Sequence, residues 1–146
     1  MAKSAKNGAS TKIFGGTSVA PGSYFIASAI VTVDTLQIEG QADKEYDALH
    51  LCLKHVKADG TQGDDCEATL SLNGCWRPRR GEDGKRYIAS GSFFAALLAT
   101  CQGKSFDQTR DYINANYTNK KISIAYDEYP SQSGGFGRVP KVEFLN

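Results

Sequence analysis

The chain has no long apolar run. No stretch reaches the ~20 consecutive apolar residues that a membrane-spanning helix needs, and the basic, polar start leads into no apolar signal core. Secretion and membrane insertion are therefore disfavoured, and a cytoplasmic setting is expected. Four cysteines are present, Cys52, Cys66, Cys75 and Cys101, but no C-x-x-C pair, so a structural zinc knuckle has no ligand framework. Cys52 and Cys101 sit in apolar-patterned segments and read as buried thiols; a Cys66–Cys75 disulfide is disfavoured in a cytoplasmic chain. There are only two histidines, His50 and His55. On a strand His50 and Cys52 share a face while His55 points away, so the three do not make a metal site. Neither histidine stands in a triad context that would activate a Ser or Cys nucleophile. No glycine motif cradles a phosphate: Gly134-Gly135-Phe136-Gly137 is not followed by a helix or by Lys-Ser/Thr.

With those chemistries set aside, charge placement becomes the informative feature. Net charge is only +1, so bulk electrostatics announce no polyanion partner. The distribution is polarised, however. Residues 1–12 carry Lys3, Lys6 and Lys12 and no acid. The segment from Trp76 to Arg86 carries Arg77, Arg79, Arg80, Lys85 and Arg86 against Glu82 and Asp83. Acid gathers in Asp34, Glu39, Asp43, Glu45 and Asp47, and again in Asp59, Asp64, Asp65 and Glu67.

The length of 146 residues suits one domain with a real core. Residues 1–12 read as a mobile basic arm and 13–146 as the folded unit. Strand one is expected from about Tyr24 to Val33. Both of its faces are apolar, as for a strand covered on two sides. Strand two alternates strictly: Leu49, Leu51 and Leu53 face a core, while Tyr46, Ala48, His50, Cys52 and Lys54 face away. After a turn at Asp59-Gly60, strand three points Ala68, Leu70 and Leu72 inward. The basic segment follows. A helix then carries Phe93, Phe94, Leu97, Leu98 and Cys101 on one stripe, capped by Ser90 or Ser92, with Gly103 past its end. Ser105 and Gln108 have capping-box spacing for a second, shorter helix. Strand four covers Lys121 to about Glu128. Strand five covers Val139 to Leu145, with Pro140 implying an edge or a bulge. Three strands, a helix and two strands is the element order of a five-stranded OB-type Greek-key barrel, mostly β, with its helix between strands three and four.

Such barrels hold single strands with cations that track phosphates and aromatic faces on which bases stack. The candidate cations are Arg77, Arg79, Arg80, Lys85, Arg86, Arg138 and, on the non-core face of strand two, Lys54. The candidate platforms are Trp76, the only tryptophan, together with Tyr46, Phe136, Tyr87 and Tyr129. Packing of Trp76 over the barrel end is the competing reading. The acidic loop from Glu39 to Asp47 would repel phosphate and counts against the assignment. Asp64-Asp65 and Asp127-Glu128 are the only carboxylate pairs that suggest Mg²⁺-assisted phosphoryl transfer; turn and strand-end solvation accounts for them, so no enzyme and no cofactor is expected.

Pro21-Gly22-Ser23-Tyr24, Phe93-Phe94-Ala95-Ala96-Leu97-Leu98-Ala99, Asn119-Lys120-Lys121-Ile122-Ser123-Ile124 and Gly137-Arg138-Val139-Pro140-Lys141-Val142-Glu143-Phe144 resemble the opening strand, helix and closing hairpin of the small OB-fold single-stranded-DNA-binding proteins of bacteriophages and mobile elements. The resemblance covers most of residues 22–146. It implies sequence-independent coating of single-stranded DNA during replication or recombination, in the host cytoplasm for a phage protein, and contact with replication or recombination enzymes. Many relatives recruit those enzymes through an acidic tail; the sequence here ends Val142-Glu143-Phe144-Leu145-Asn146, which puts that route in doubt. The second reading is a structural or decorating protein of a virion or other assembly.

Overall fold

Seven strands and two helices follow one another along the chain in a computed structural model that describes residues 19–37, 39–75 and 77–145. The expected basic arm over 1–12 lies outside the described residues. The strands are β1 (Gly22–Leu36), β2 (Lys44–His55), β3 (Ala68–Ser71), β4 (Arg79–Arg80), β5 (Arg86–Tyr87), β6 (Lys121–Pro130) and β7 (Phe136–Leu145). The helices α1 (Ser92–Cys101) and α2 (Phe106–Asn116) lie between β5 and β6. Among the described residues no helix is long and apolar enough to cross a membrane.

Five strands form one antiparallel sheet in the order β3-β2-β1-β6-β7. The order β6-β1-β2-β3 is that of a Greek key, in which a fourth strand returns to lie beside the first. The sheet does not close into the expected barrel. Closure needs a β3–β7 ladder, but β3 is four residues long and the chain turns away at Asn73-Gly74, where Gly74 takes φ 70°. The free edge of β7 is met instead by Ser90, whose N–H donates to the Pro140 carbonyl and whose carbonyl accepts from the Val142 N–H. Pro140 has no N–H to offer a ladder; it sits on an edge strand, as its presence predicts.

β1 owes its apolar appearance on both faces to a bulge. Its register with β2 shifts between Ile26 and Ser28, and a one-residue shift moves the core set to the other parity. Tyr24 and Ile26 are buried before the bulge, and Ala29 after it. The alternation that suggests a strand covered on two sides is thus one buried face that changes parity.

The core joins Leu49, Leu51 and Leu53 of β2, Leu70 of β3 and Leu72 just after it, Ile122 and Ile124 of β6, and Val142 of β7 to Phe93, Phe94 and Leu97 of α1 and Ile113 of α2. α1 packs on β7, and α2 on β1 and β2. The α2 cap is the capping box read from sequence: Gln108 N–H donates to Ser105 Oγ, and Ser105 N–H donates to Gln108 Oε1. At 11 residues α2 is the longer helix, not the shorter one.

The α1 start departs from expectation. Its cap position is Gly91, with φ 110°, where a Cβ would overlap the Val142 backbone. The orphan N–H of Ser92 is satisfied from β7, by Glu143 Oε2 at 2.9 Å, while Ser92 Oγ accepts from Phe144 N–H. Hydrogen bonds to Glu143 from the Ser92 N–H and, less, from its hydroxyl hold the Glu143 carboxyl below its ordinary value.

Candidate functional site

The basic segment after β3 folds into a small hairpin. Arg79 pairs with Tyr87 and Arg80 with Arg86. The turn between them is closed by Gly81 N–H to the Lys85 carbonyl and by Gly84, with φ 79°. Asp83 accepts from Lys85 N–H at 3.0 Å and from the Tyr87 hydroxyl at 2.6 Å. The shared proton draws the Asp83 carboxyl down and pushes the Tyr87 phenol up.

The β4–β5 hairpin is fixed to the end of β6. Glu82 N–H donates to the Pro130 carbonyl, and Gly81 bridges to Ser131. Tyr87 stacks on Tyr129 with ring centroids 4.8 Å apart and planes 18° apart. Gly137 lies against that second ring so closely that a Cβ would overlap it. Tyr87 and Tyr129, read from sequence as base platforms, are therefore packing residues that dock one hairpin on another.

Two hollows flank this anchor. The smaller, about 240 Å³, is lined by Arg77, Arg79, Arg138, Tyr129 and the backbone around Gly74 and Gly137. The larger, about 750 Å³, is lined by Lys44, Tyr46, Asp47, Arg77, Pro78 and Arg79. Asn73, Gly74, Arg77 and Arg79 line both, so the two hollows lie side by side, a trough in two halves with those residues between them, from the start of β2 to the β6–β7 hairpin. Asn73 fixes its floor, accepting from Leu49 N–H at 2.6 Å and donating to the Asp47 carbonyl at 3.1 Å.

The structure thus brings Arg77, Arg79, Arg138 and Tyr46 together. Arg138 carries its guanidinium 4.3 Å above the Tyr126 ring. Arg80, Lys85 and Arg86 are exposed on the neighbouring hairpin. Arg80 and Arg86 lie directly opposite each other, a like-charge pairing that costs stability by itself. Among the described residues neither Arg77 nor Arg79 has a carboxylate partner. Phe136 begins β7 beyond the turn and is 73% exposed; Tyr46 is 40% exposed. Trp76 lies outside the described residues. Lys54 stands eight positions along β2 from Tyr46, so at ~3.3 Å per residue it is far from the trough.

Sequence reasoning missed Lys44 and Asn73 as lining residues. In the sequence Lys44 is a lone cation inside an acidic stretch, and only the β1–β2 register, Leu36 opposite Lys44, places it at the trough. That stretch does contribute Asp47 to the lining.

The face of β2 expected to point away from the core is itself covered: Ala48, His50 and Cys52 are buried. His50 is 2% exposed, with Nε2 3.1 Å from Asp34 Oδ2. His55, on the other parity, is exposed and pairs with Glu67. No group of three or more His, Cys, Asp or Glu side chains is arranged to hold a metal ion among the described residues.

Comparison of the chain with protein-family models, with curated proteins and with solved structures finds no match.

Proposed function

We propose that this chain binds single-stranded DNA without base specificity, along the trough between the start of β2 and the β6–β7 hairpin. The observation that carries the reading is the set of exposed cations on and beside the trough: Arg77 and Arg79 without a carboxylate partner among the described residues, and Arg80 held opposite Arg86. A fold keeps like charges at such spacing at a cost, and a phosphate backbone is the partner that offsets it. Tyr46 lines the larger hollow and Phe136 is exposed on the β6–β7 hairpin, and stacking is worth ~1–3 kcal/mol per base. The single strand fits better than a duplex because flat rings at a trough take unpaired bases.

The fold supports the same reading. An OB barrel binds oligonucleotides through its second and third strands and the loops between strands one and two and between four and five. Here the trough is flanked by the start of β2 and by the β6–β7 hairpin, which occupy the places of those two loops in a Greek-key sheet left open between its third and fifth strands. Replication or recombination enzymes are the partners this reading supplies.

Titration of a fluorescent oligo-dT at two salt concentrations tests the proposal. Binding that weakens steeply with salt is expected, and no binding at low salt overturns it. In that event the assembly-protein reading takes over. It rests on the β1–β2 ribbon, which runs past the residues paired to β3 and β6 and leaves Val33 51% exposed, an edge a neighbouring chain can extend.

A further inference from the structure

Where β1 leaves β6, its outer edge has no strand beside it. β6 pairs only Gly22 to Phe25, and Ile26 closes on the backbone of Asn119 and Lys120. After the bulge, Ala29 is met by a side chain instead. Its N–H donates to Asn114 Oδ1 at 2.7 Å, and its carbonyl accepts from Asn114 Nδ2 at 3.2 Å. The α2 amide thus stands in for one peptide group of a neighbouring strand.

The direction of the groups beyond Ala29 is set by β2. Leu49 N–H donates to Asn73, and the Leu49 carbonyl accepts from Leu72 N–H, both on the β3 side. Leu49 is the partner of Val31, so this pair exchanges no hydrogen bond and Val31 turns its N–H and carbonyl to the outer edge. With a period of two, Val33 and Thr35 do the same. Among the described residues these backbone groups have no hydrogen-bond partner. The edge also lacks the usual protection. From Val31 to Thr35 there is no Pro, Gly or Lys, every residue but Asp34 is β-branched, and Val33 is 51% exposed. Other edges of the sheet are guarded: β3 is four residues long, and β7 is met by Ser90.

We propose that this edge pairs with the same edge of a second copy of this chain, antiparallel about a two-fold axis at Val33. Such a contact needs a register that complements itself, and one register does. With Val33 opposite the partner's Val33, Val31 falls opposite the partner's Thr35, so the outward N–H and carbonyl groups of all three residues are paired. Asp34 falls opposite the partner's Thr32 rather than opposite a carboxylate. Neighbouring registers fail. Centred on Thr32, the ladder brings Thr35 to the partner's Ala29, whose groups Asn114 already holds. Centred on Asp34, it sets the two Asp34 carboxylates directly opposite each other, a destabilising pair. Asn114 and Asp34 therefore fix the ladder from its two sides. Val33 stands opposite Asp47 and Asp34 opposite Tyr46, so the dimer carries the β2 starts of two troughs on one continuous ribbon.

Sedimentation of the intact chain from micromolar to millimolar concentration, without DNA, tests the proposal. The mass should rise from one chain to two and no further. The amides of Val31, Val33 and Thr35 should become protected from hydrogen exchange over the same range. Val33→Lys sets two ammonium groups opposite each other and should weaken the dimer about fivefold or more, with a thermal melt confirming that the variant is folded. Val33→Thr keeps a β-branched residue and should retain the dimer. The exchange measurement needs no variant, so it decides the matter if Val33→Lys fails to fold. A chain that stays monomeric, a mass that grows past two chains, or a dimer in which those amides exchange freely overturns the proposal. No DNA is present, so the outcome is separate from that of the oligo-dT titration.

Discussion

Two arginine-bearing regions of this protein treat charge in opposite ways. On α2, Arg110 reaches Asp107 at 3.1 Å and Asp111 at 3.0 Å, all three on one exposed helix face. On the β4–β5 hairpin and the turn before it, Arg77, Arg79, Arg80 and Arg86 are exposed, and none has an acidic partner among the described residues. The first region satisfies itself, at the small net value typical of surface pairs. The second has no such partner among the described residues. Of the two carboxylates there, Asp83 is occupied by Tyr87 and Lys85, and Glu82 makes no ion pair among the described residues. The contrast marks the surface proposed to bind phosphate more sharply than net charge does.

Both regions hang on one core, so removing part of it is the largest perturbation. Leu97 and Leu51 are fully buried, and either one changed to Ala should cost ~2–5 kcal/mol of stability. Chemical denaturation checks the figure. If Leu97→Ala loosened α2 while leaving the β4–β5 hairpin and oligo-dT binding intact, the two regions would not share a core.

Next in size is the exposed aromatic on the β6–β7 hairpin. Phe136→Ala should weaken oligo-dT binding by ~1–3 kcal/mol, the value of one stacked base. Melting temperature should stay nearly constant, because the ring is 73% exposed. Lost stability with unchanged affinity would make Phe136 a packing residue, as Tyr129 is. The charge contrast itself is tested by pairing variants. Arg77→Gln with Arg79→Gln should reduce the salt dependence by ~0.7 for each phosphate that is no longer neutralised. Arg110→Gln should leave affinity and salt slope unchanged. Equal effects from both would erase the distinction.

What was legible in the sequence divides along the range of the interactions. The helix stripe through Phe93 and Leu97 and the Ser105–Gln108 box are local, and each appears where its spacing put it; Leu49, Leu51 and Leu53 are buried as expected, but so are Ala48, His50 and Cys52, so β2 is covered on both faces where strict alternation suggested one. The bulge near Ala27 was hidden because parity is defined only against a partner strand. The α1 cap was hidden because its carboxylate, Glu143, comes from β7, 51 positions away. The β4–β5 ladder is two residues on each side, too short to leave a period. Barrel closure failed at a single place, where Ser90 bonds to Pro140 and Val142. For the site, Arg77, Arg79, Arg138 and Tyr46 were readable as types, but only the folded chain shows that they share a trough and that Lys54 does not join it.

The smallest expected effect concerns the pair of buried His50 and half-buried Asp34, which sits between the extremes of Arg110 and Arg79. His50 has Asp34 at 3.1 Å but is almost sealed from water, and its Nδ1 has no hydrogen-bond partner. Burial disfavours the imidazolium and outweighs the attraction of Asp34, so the His50 pKa is lowered from its ordinary 6.5. The folded state then binds this proton less readily than the unfolded chain does. Stability from neutral His50 is therefore complete above the unfolded value and is lost as pH falls below it, until the folded value is passed. Because the two causes oppose each other, the slope should be shallow. Denaturation at pH 7.5 and pH 5.5 measures it, and His50→Gln, which keeps a hydrogen-bonding side chain and removes the titration, should flatten it. A wild type that gains stability on acidification, with the gain abolished in His50→Gln, would mean that Asp34 holds His50 charged, and would move this pair to the self-satisfied side of the comparison with Arg110.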